Sequence, residues 1–403
     1  MIYPAVKKMI ANGYIASPNW ISLGPGAPEK IALKDATLYN VSLDQTQLPL
    51  YANFKENIWN EIHGTARPQF RFKEYESYAL YNWLCAKLML KMLDDVDIFW
   101  IHDFQQLLTG NLIGPSAPAI LRWHIPFRLE NVSDRLRVMI LKNIEGFDAI
   151  VVSTKRDLEG LIRAGYRGKA YAINPYLDTS VWKKVSESDI SKVRSKFGLK
   201  QNDKVALVVA RMDPVKNQDT AIKAIASVAK DYKDAKLVLA GNGSFTGSKR
   251  GGLGHPKSSR WKGELERLAR TLKLEDRIVF TGHIPHEEVD ALYSICEVTI
   301  VPSGIEGFNL TAVESWIHGK PCIVSKGAGV SELVHDGVNG FTFNPSEDVE
   351  LASKLRAVFA SSEAASRMGE NGASMAKVCD VDNAVKSIEQ VFDEASKMYS
   401  KPN

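Results

Sequence analysis

The run Glu306-Gly307-Phe308-Asn309-Leu310-Thr311-Ala312-Val313-Glu314 holds two carboxylates separated by seven residues, one in a turn and one inside a helix-forming stretch that closes near Gly319. Backbone amides at the start of such a helix, around Asn309, Leu310 and Thr311, point outward with the positive end of the dipole behind them, which suits a phosphate. Glu314 would then reach ribose hydroxyls while Glu306 faces a sugar. A favourable acid near a helix start explains the same residues without any ligand. A second motif supplies cations: the apolar run KVALVVARM ends in Arg211, and a turn through Asp213 and Pro214 leads to Lys216. Arg offers a planar fork and Lys a point charge. Open α/β sheets bind ligands at the carboxyl ends of their strands, and a diphosphate leaving group needs cations there. Two solvated loop cations are the plain alternative. A third set lies earlier, in DIFWIHDFQQLL and PAILRWHIPFR, where His102, Asp103, Gln105, Gln106 and His124 end two apolar runs. Polar groups gathered there can hydrogen-bond a polyol, although a lone histidine at a strand end is commonly a packed structural residue.

These residues need a scaffold of alternating strands and helices, and the chain supplies one. Short β-rich runs (NWISLG, ATLYNVSL, DIFWIH, PAILRWHIP, DAIVVS, AYAINP, then KVALVVARM, AKLVLAG, RIVFTGH, EVTIVPS, PCIVSK, GFTFNP) are separated by longer amphipathic stretches. That alternation implies parallel sheets covered on both faces. At 403 residues the chain exceeds one ordinary core, so two domains are expected. The rhythm breaks in the polar, turn-rich stretch 175–203, which places the connection there. The boundaries read as an amino-terminal acceptor-binding domain over 1–176, a nucleotide-sugar-binding domain over 177–384, and a helix over 385–403 returning to the first domain. In that helix Val385, Ile388, Val391, Phe392 and Ala395 share one face. The chain opens in a helix-like segment, Tyr3 to Ala11, with no strand or glycine-rich turn ahead of it. In a doubly wound sheet the first strand is central, so a gap beside its neighbours is expected. Either residues upstream of Met1 belong to the protein, the favoured reading, or the domain has lost a standard part.

Composition excludes several classes. With 51 basic and 47 acidic residues the net charge is +4, spread along the chain, which gives little reason to expect nucleic acid. The cluster Lys249, Arg250, Lys257, Arg260 and Lys262, in the unusual insertion over 243–262, reads as a solvated or mobile loop. Cys85, Cys296, Cys322 and Cys379 fall in no metal or redox spacing, so a reduced, cytoplasmic setting is expected. No apolar stretch approaches the roughly 20 residues that span a bilayer. Asp95-Val96-Asp97 has the look of a metal-binding DxD, but it precedes the strand DIFWIH and so lies at its amino end. No metal and no cofactor are expected.

The paired cations before the paired acids, on these elements, resemble the large family of retaining nucleotide-sugar glycosyltransferases with two Rossmann-like domains facing across a cleft, the GT-B type. Gly282-His283-Ile284-Pro285 and the run 329–341 fit the same pattern, which covers nearly all of the second domain. The first domain is similar, more patchily, to the trehalose-forming members: His102-Asp103-Phe104-Gln105 resembles a stretch of trehalose glycosyltransferring synthase, and His124-Ile125-Pro126-Phe127 one of trehalose-phosphate synthase.

The resemblance implies transfer of glucose, with retention, from ADP- or UDP-glucose to a glucose-type acceptor. It assigns Arg211 and Lys216 to the donor diphosphate, Glu306 to the transferred hexose and Glu314 to the ribose. Gly307, Phe308, Asn309, Leu310, Thr311 and Ile284 complete the donor site. His102, Asp103, Gln105, Gln106 and His124 take the acceptor, with His124 and Asp103 nearest the reaction. Where family members carry glycine, this chain has Asn309, and the family's amino-terminal glycine loop is not found. A trehalose-phosphate synthase, a trehalose phosphorylase and a non-catalytic sugar-nucleotide-binding subunit stay open as alternatives. A phosphorylated acceptor would need further cations near His124, for which Arg122 and Arg128 stand closest. Partners are small molecules, with homodimerisation left open and neither nucleic acid nor membrane expected.

Overall fold

A computed structural model describes residues 2–67, 69–182, 184–242 and 255–399. The chain divides into two compact units, residues 1–177 with 381–403, and residues 178–380. The terminal helix Val381–Ser396 belongs to the first unit and starts four residues before the expected boundary, at Val381, whose amide bonds the Leu177 carbonyl.

In unit 1, helix α1 (Ile2–Ala11) precedes β1 (Asn19–Leu23), β2 (Lys30–Ala32) and β3 (Thr37–Val41), which form a small sheet ordered β1-β3-β2. Helices α2 (Gln47–Ile62) and α3 (Phe72–Leu90) follow. Then β4 (Phe99–His102), α4 (Thr109–Ile113), β5 (Ala119–Arg122), α5 (Asp134–Ile144), β6 (Ala149–Val152), α6 (Lys155–Arg163) and β7 (Lys169–Ala172) build a parallel sheet ordered β4-β5-β6-β7. β5 and β6 are buried at every position, as strands covered on both faces must be. One face carries the aromatic core of Tyr51, Phe54, Tyr78, Tyr81, Phe104 and Trp123. On the other, Val385, Ile388, Val391, Phe392 and Ala395 of the terminal helix join α1 against Ile120, Ala149 and Val151.

Among the described residues no strand ladder joins the two sheets of this unit. Pro18 and Gly24 bond β3, so Asn19, Ile21 and Leu23 turn their main-chain groups the other way. Phe99 and Asp103 bond the β5 side, which turns Trp100 and His102 away from it. Gln106, just past β4, reaches β1: its Nε2 donates to the Ile21 carbonyl at 3.5 Å.

Unit 2 contains α7 (Glu187–Phe197), β8 (Lys204–Val209), α8 (Gln218–Val228), β9 (Ala235–Ala240), α9 (His255–Thr271), β10 (Ile278–Gly282), α10 (His286–Ile295), β11 (Val298–Val301), α11 (Thr311–Ile317), β12 (Cys322–Ser325), β13 (Gly340–Phe343), α12 (Asp348–Ala360) and α13 (Ser362–Ala376). The stretch read as connector thus holds a full helix, α7, capped by Ser186 and ended by Gly198 at φ +63°. Six parallel strands run in the order β10-β9-β8-β11-β12-β13. The chain winds outward one way from β8 and the other way from β11, so the topological switch falls between those two strands. Residues 243–254 of the insertion lie outside the described residues, and its remainder is the start of α9 rather than a loop. No helix among the described residues is long and apolar enough to cross a membrane.

Candidate functional sites at two sheet edges

The carboxyl ends of β8 and β11, on either side of the switch, carry the cations and the first acid. Asp213 caps the turn after β8 by accepting the Val215 amide at 3.2 Å, and the Gly304 amide bonds the Val215 carbonyl at 3.0 Å. That bond ties the two loops together. Gly327 comes in so closely from the next loop that a Cβ there would lie 1.9 Å from the Gly304 carbonyl oxygen, so only glycine fits. Within this frame Lys216 Nζ pairs with Glu306 Oε1, and Asn309 Nδ2 donates to Glu306 Oε2 at 2.7 Å. Burial opposes ionisation of Glu306, but the Lys216 charge and hydrogen bonds from Lys216, Ser303 and Asn309 outweigh it and hold the carboxyl below the usual carboxylate range.

Arg211 lies in the same field. Burial lowers its proton affinity, opposed by the charges of Asp213, whose Oδ2 is 3.8 Å from Nη1, and of Glu306. The alternative of two solvated loop cations does not hold: the Lys216 residue is 9% exposed and the Arg211 side chain 20%. The reason is the partner carboxylate, which arrives from a loop ninety residues downstream.

Asn309 occupies the position where a glycine is expected and adopts φ +94°. Its short amide tolerates that region because it bonds locally: Oδ1 accepts the Thr311 amide at 2.9 Å. The Thr311 amide, expected to face a phosphate, is therefore already capped. Phe308 and Ile284 are buried, Ile284 within the apolar cluster of α10. Gly307 is buried in the turn and Leu310 half-buried ahead of α11. Glu314, on α11, accepts a hydrogen bond from Tyr293 Oη at 2.7 Å, and burial raises its proton affinity against that bond. Ser303 and Tyr293 were missed: a serine after a strand and a tyrosine in the apolar run ALYSI give no signal until their partners are known.

In unit 1 the ends of β4 and β5 bring His102 and His124 together. His102 Nδ1 and His124 Nε2 lie 3.0 Å apart with ring planes 14° from parallel, sharing one hydrogen bond. Burial pushes His102 down to about 3, with the Arg122 charge adding to it, and pushes His124 well below the ordinary imidazole range. Both rings are neutral at pH 7. His124 Nδ1 is buried with no hydrogen-bond partner among the described residues. Asp103 closes the group at φ +62°; its Oδ1 accepts the His124 amide at 3.3 Å, and burial lifts the carboxyl to about 6.

One expected acceptor residue has its side chain engaged elsewhere. Gln106 turns its amide toward Tyr81 Oη at 3.2 Å and Cys85 Sγ at 3.4 Å, away from the histidines. The Gln105 carbonyl accepts Asn82 Nδ2 at 3.1 Å, and its side chain is half-buried. Arg122 is no cation for a phosphorylated acceptor: it is 3% exposed and spends its guanidinium on the Val152 and Ile173 carbonyls at 2.9 and 2.7 Å. Asp95 and Asp97 are exposed at the amino end of β4, far along the strand from His102.

Residues 189–375, nearly all of unit 2, match the model of the glycosyl transferases group 1 family. The match covers 187 of the 403 residues. The chain is 23% identical over 255 residues to a D-inositol 3-phosphate glycosyltransferase of Corynebacterium kroppenstedtii, covering 62% of this chain and 54% of that one. It spans about half the length of the curated relatives it matches. A trehalose-6-phosphate synthase structure superposes with a TM-score of 0.80 at 16% identity, covering 97% of this chain and 94% of the other. Anabaena HepE in complex with UDP superposes with a TM-score of 0.68 at 24% identity, over 77% and 82%. The fold is therefore that of the GT-B glycosyltransferases, with two Rossmann-like domains.

Proposed function

We propose that the protein is a retaining glycosyltransferase that moves a hexose, glucose by preference, from a nucleoside diphosphate sugar to an uncharged sugar hydroxyl, forming a trehalose-type product. The observation that carries this reading is Arg211, Lys216 and Glu306 gathered at the β8/β11 switch inside the segment that matches the group 1 family. As the bond between the anomeric carbon and the diphosphate oxygen breaks, charge builds on the leaving group. Arg211 and Lys216 are fixed to receive it, and a water-poor setting strengthens them. Glu306 would exchange its Lys216 contact for hydroxyls of the sugar. Glu314 takes the ribose.

On unit 1 the neutral His102–His124 pair suits an acceptor hydroxyl, with the unused His124 Nδ1 as its partner. The captive state of Arg122 favours an uncharged acceptor over a phosphorylated one. The acceptor proton would leave to the departing phosphate oxygen on the same face, giving retention; that step rests on the family resemblance. No metal enters this scheme, because the acidic pair Asp95 and Asp97 sits at the wrong strand end. A cytoplasmic setting and small-molecule partners complete the reading.

Product analysis tests it: UDP-glucose, ADP-glucose and GDP-glucose against glucose, glucose 6-phosphate and D-inositol 3-phosphate, with and without EDTA. A disaccharide from glucose, retained configuration and indifference to EDTA are expected. Exclusive use of a phosphorylated acceptor would overturn the acceptor assignment, and nucleotide binding without turnover would mark a non-catalytic subunit.

A further inference from the structure

Glu314 is held by an unusual neighbour. Tyr293 on α10 is fully buried among Ala291, Leu292 and Ile295, where phenylalanine would fill the same space. Its hydroxyl has a single proton to give and two oxygens in range, Glu314 Oε2 at 2.7 Å and the Thr311 carbonyl at 3.4 Å, so the carboxylate takes it. Among the described residues Tyr293 is the one hydrogen-bond partner of that carboxylate and no lysine or arginine forms an ion pair with it, while the His286 charge acts on it from a distance.

The ring itself is fixed. His318, which ends α11, stacks on it with centroids 5.1 Å apart and planes 16° from parallel. His318 Nε2 lies 3.4 Å from Asp290 Oδ1, and Trp182 stands edge-on to both His318 and His286. The tyrosine is thus gripped on its face while its hydroxyl grips the acid. One carboxylate oxygen is tied to the protein and the other is left to a ligand, so the orientation of Glu314 is set before anything binds.

We propose that Tyr293 is a positioning residue: its hydroxyl orients Glu314 so that the carboxylate accepts the ribose hydroxyls of the donor, making the site discriminate ribonucleoside from deoxyribonucleoside diphosphates. This rests on the donor site proposed above. An uncharged donor suits the task, since a lysine or arginine in its place would compete with the ribose for the second oxygen.

The test uses the full chain and calorimetric titration with UDP, ADP and GDP, each beside its 2′-deoxy form. The wild type should prefer the tightest-binding ribonucleotide over its deoxy form about tenfold or more, as expected for a hydrogen bond to a charged group. In Tyr293→Phe that preference should shrink to about threefold or less, through weaker ribonucleotide binding, with deoxynucleotide affinity unchanged. The ratio is measured on one folded population, so a merely structural role lowers both affinities alike and leaves it intact; that result overturns the proposal. Glu314→Gln is the control. If Glu314→Gln keeps the ribose preference, or no nucleotide binds the wild type, the donor site itself is wrong. If Glu314→Gln abolishes the preference while Tyr293→Phe retains it, the acid is right and the positioning role alone fails.

Discussion

The two sheet edges hold their polar groups in opposite ways. Unit 2 buries charge and cancels it with charge, Lys216 against Glu306 with Asn309 and Ser303 completing the shell. Unit 1 gathers polar groups in the corresponding place, the carboxyl ends of parallel strands, and strips the two imidazoles of charge: His102 and His124 are neutral, Asp103 is lifted to about 6, and Arg122 keeps its charge on two main-chain carbonyls. A buried ion survives only with a partner, whereas a titratable group can give up its charge instead. A neutral imidazole pair would suit hydroxyls, which bind by directional hydrogen bonds. An ion pair would suit a ligand whose own charge changes during reaction.

Removing one ion should separate the edges most sharply. Lys216→Ala should lower kcat/KM about a hundred- to a thousandfold, and denaturant unfolding should register a loss of about 3–5 kcal/mol because Glu306 is left buried without its cation. Lys216→Met with Glu306→Leu should recover most of that stability and none of the activity. Arg211→Ala should match the kinetic loss with little change in stability. On the neutral edge, His124→Ala should cost about a hundredfold in kcat/KM for the acceptor while leaving nucleotide affinity intact. A comparable loss of nucleotide affinity would erase the division of labour.

Acid should strike unit 1 through the same contrast. The imidazoles are depressed in the folded state, so the stability they contribute is present above their unfolded value near 6.5 and is lost as pH falls toward their folded values. Asp103 is raised to about 6, so its contribution has the opposite sense, present below the unfolded value near 3.8 and lost as pH rises through 6. Between pH 6 and 4 two groups lose and one gains, a net loss of up to about 1.4 kcal/mol per pH unit. His102→Gln should bring that slope near zero in thermal melts taken across this range. The smallest effect belongs to Asn309→Gly, which relieves a positive φ but forfeits the bond to Glu306 and the cap on Thr311. Stability should move by about 1 kcal/mol or less, and turnover should fall a few-fold in initial-rate assays.

Much of this arrangement is legible in the residues. The alternation of apolar runs gives parallel sheets, and the phasing of Arg211, Lys216 and Glu306 relative to strand ends places them at one edge. His102 and His124 converge because consecutive parallel strands lie side by side. What sequence cannot supply is the direction a side chain takes once neighbours arrive from far along the chain. Gln106 looks like an acceptor ligand but turns to Tyr81 and Cys85 of α3, and Arg122 looks like a phosphate clamp but is spent on two carbonyls. Lys216 reads as exposed because its partner lies ninety residues away, and Tyr293 reads as core because only its hydroxyl departs from core behaviour.

The clasp between Lys216 and Glu306 has a bearing on which anions the protein ignores. At rest the lysine already has its counter-ion, so a stray sulfate or inorganic phosphate gains little there and must displace a carboxylate to gain anything. On the proposed function a sugar nucleotide would bring two replacements at once, phosphoryl oxygens for the cation and sugar hydroxyls for the acid. Only such a bifunctional guest would part the pair while leaving both the cation and the acid with hydrogen-bond partners.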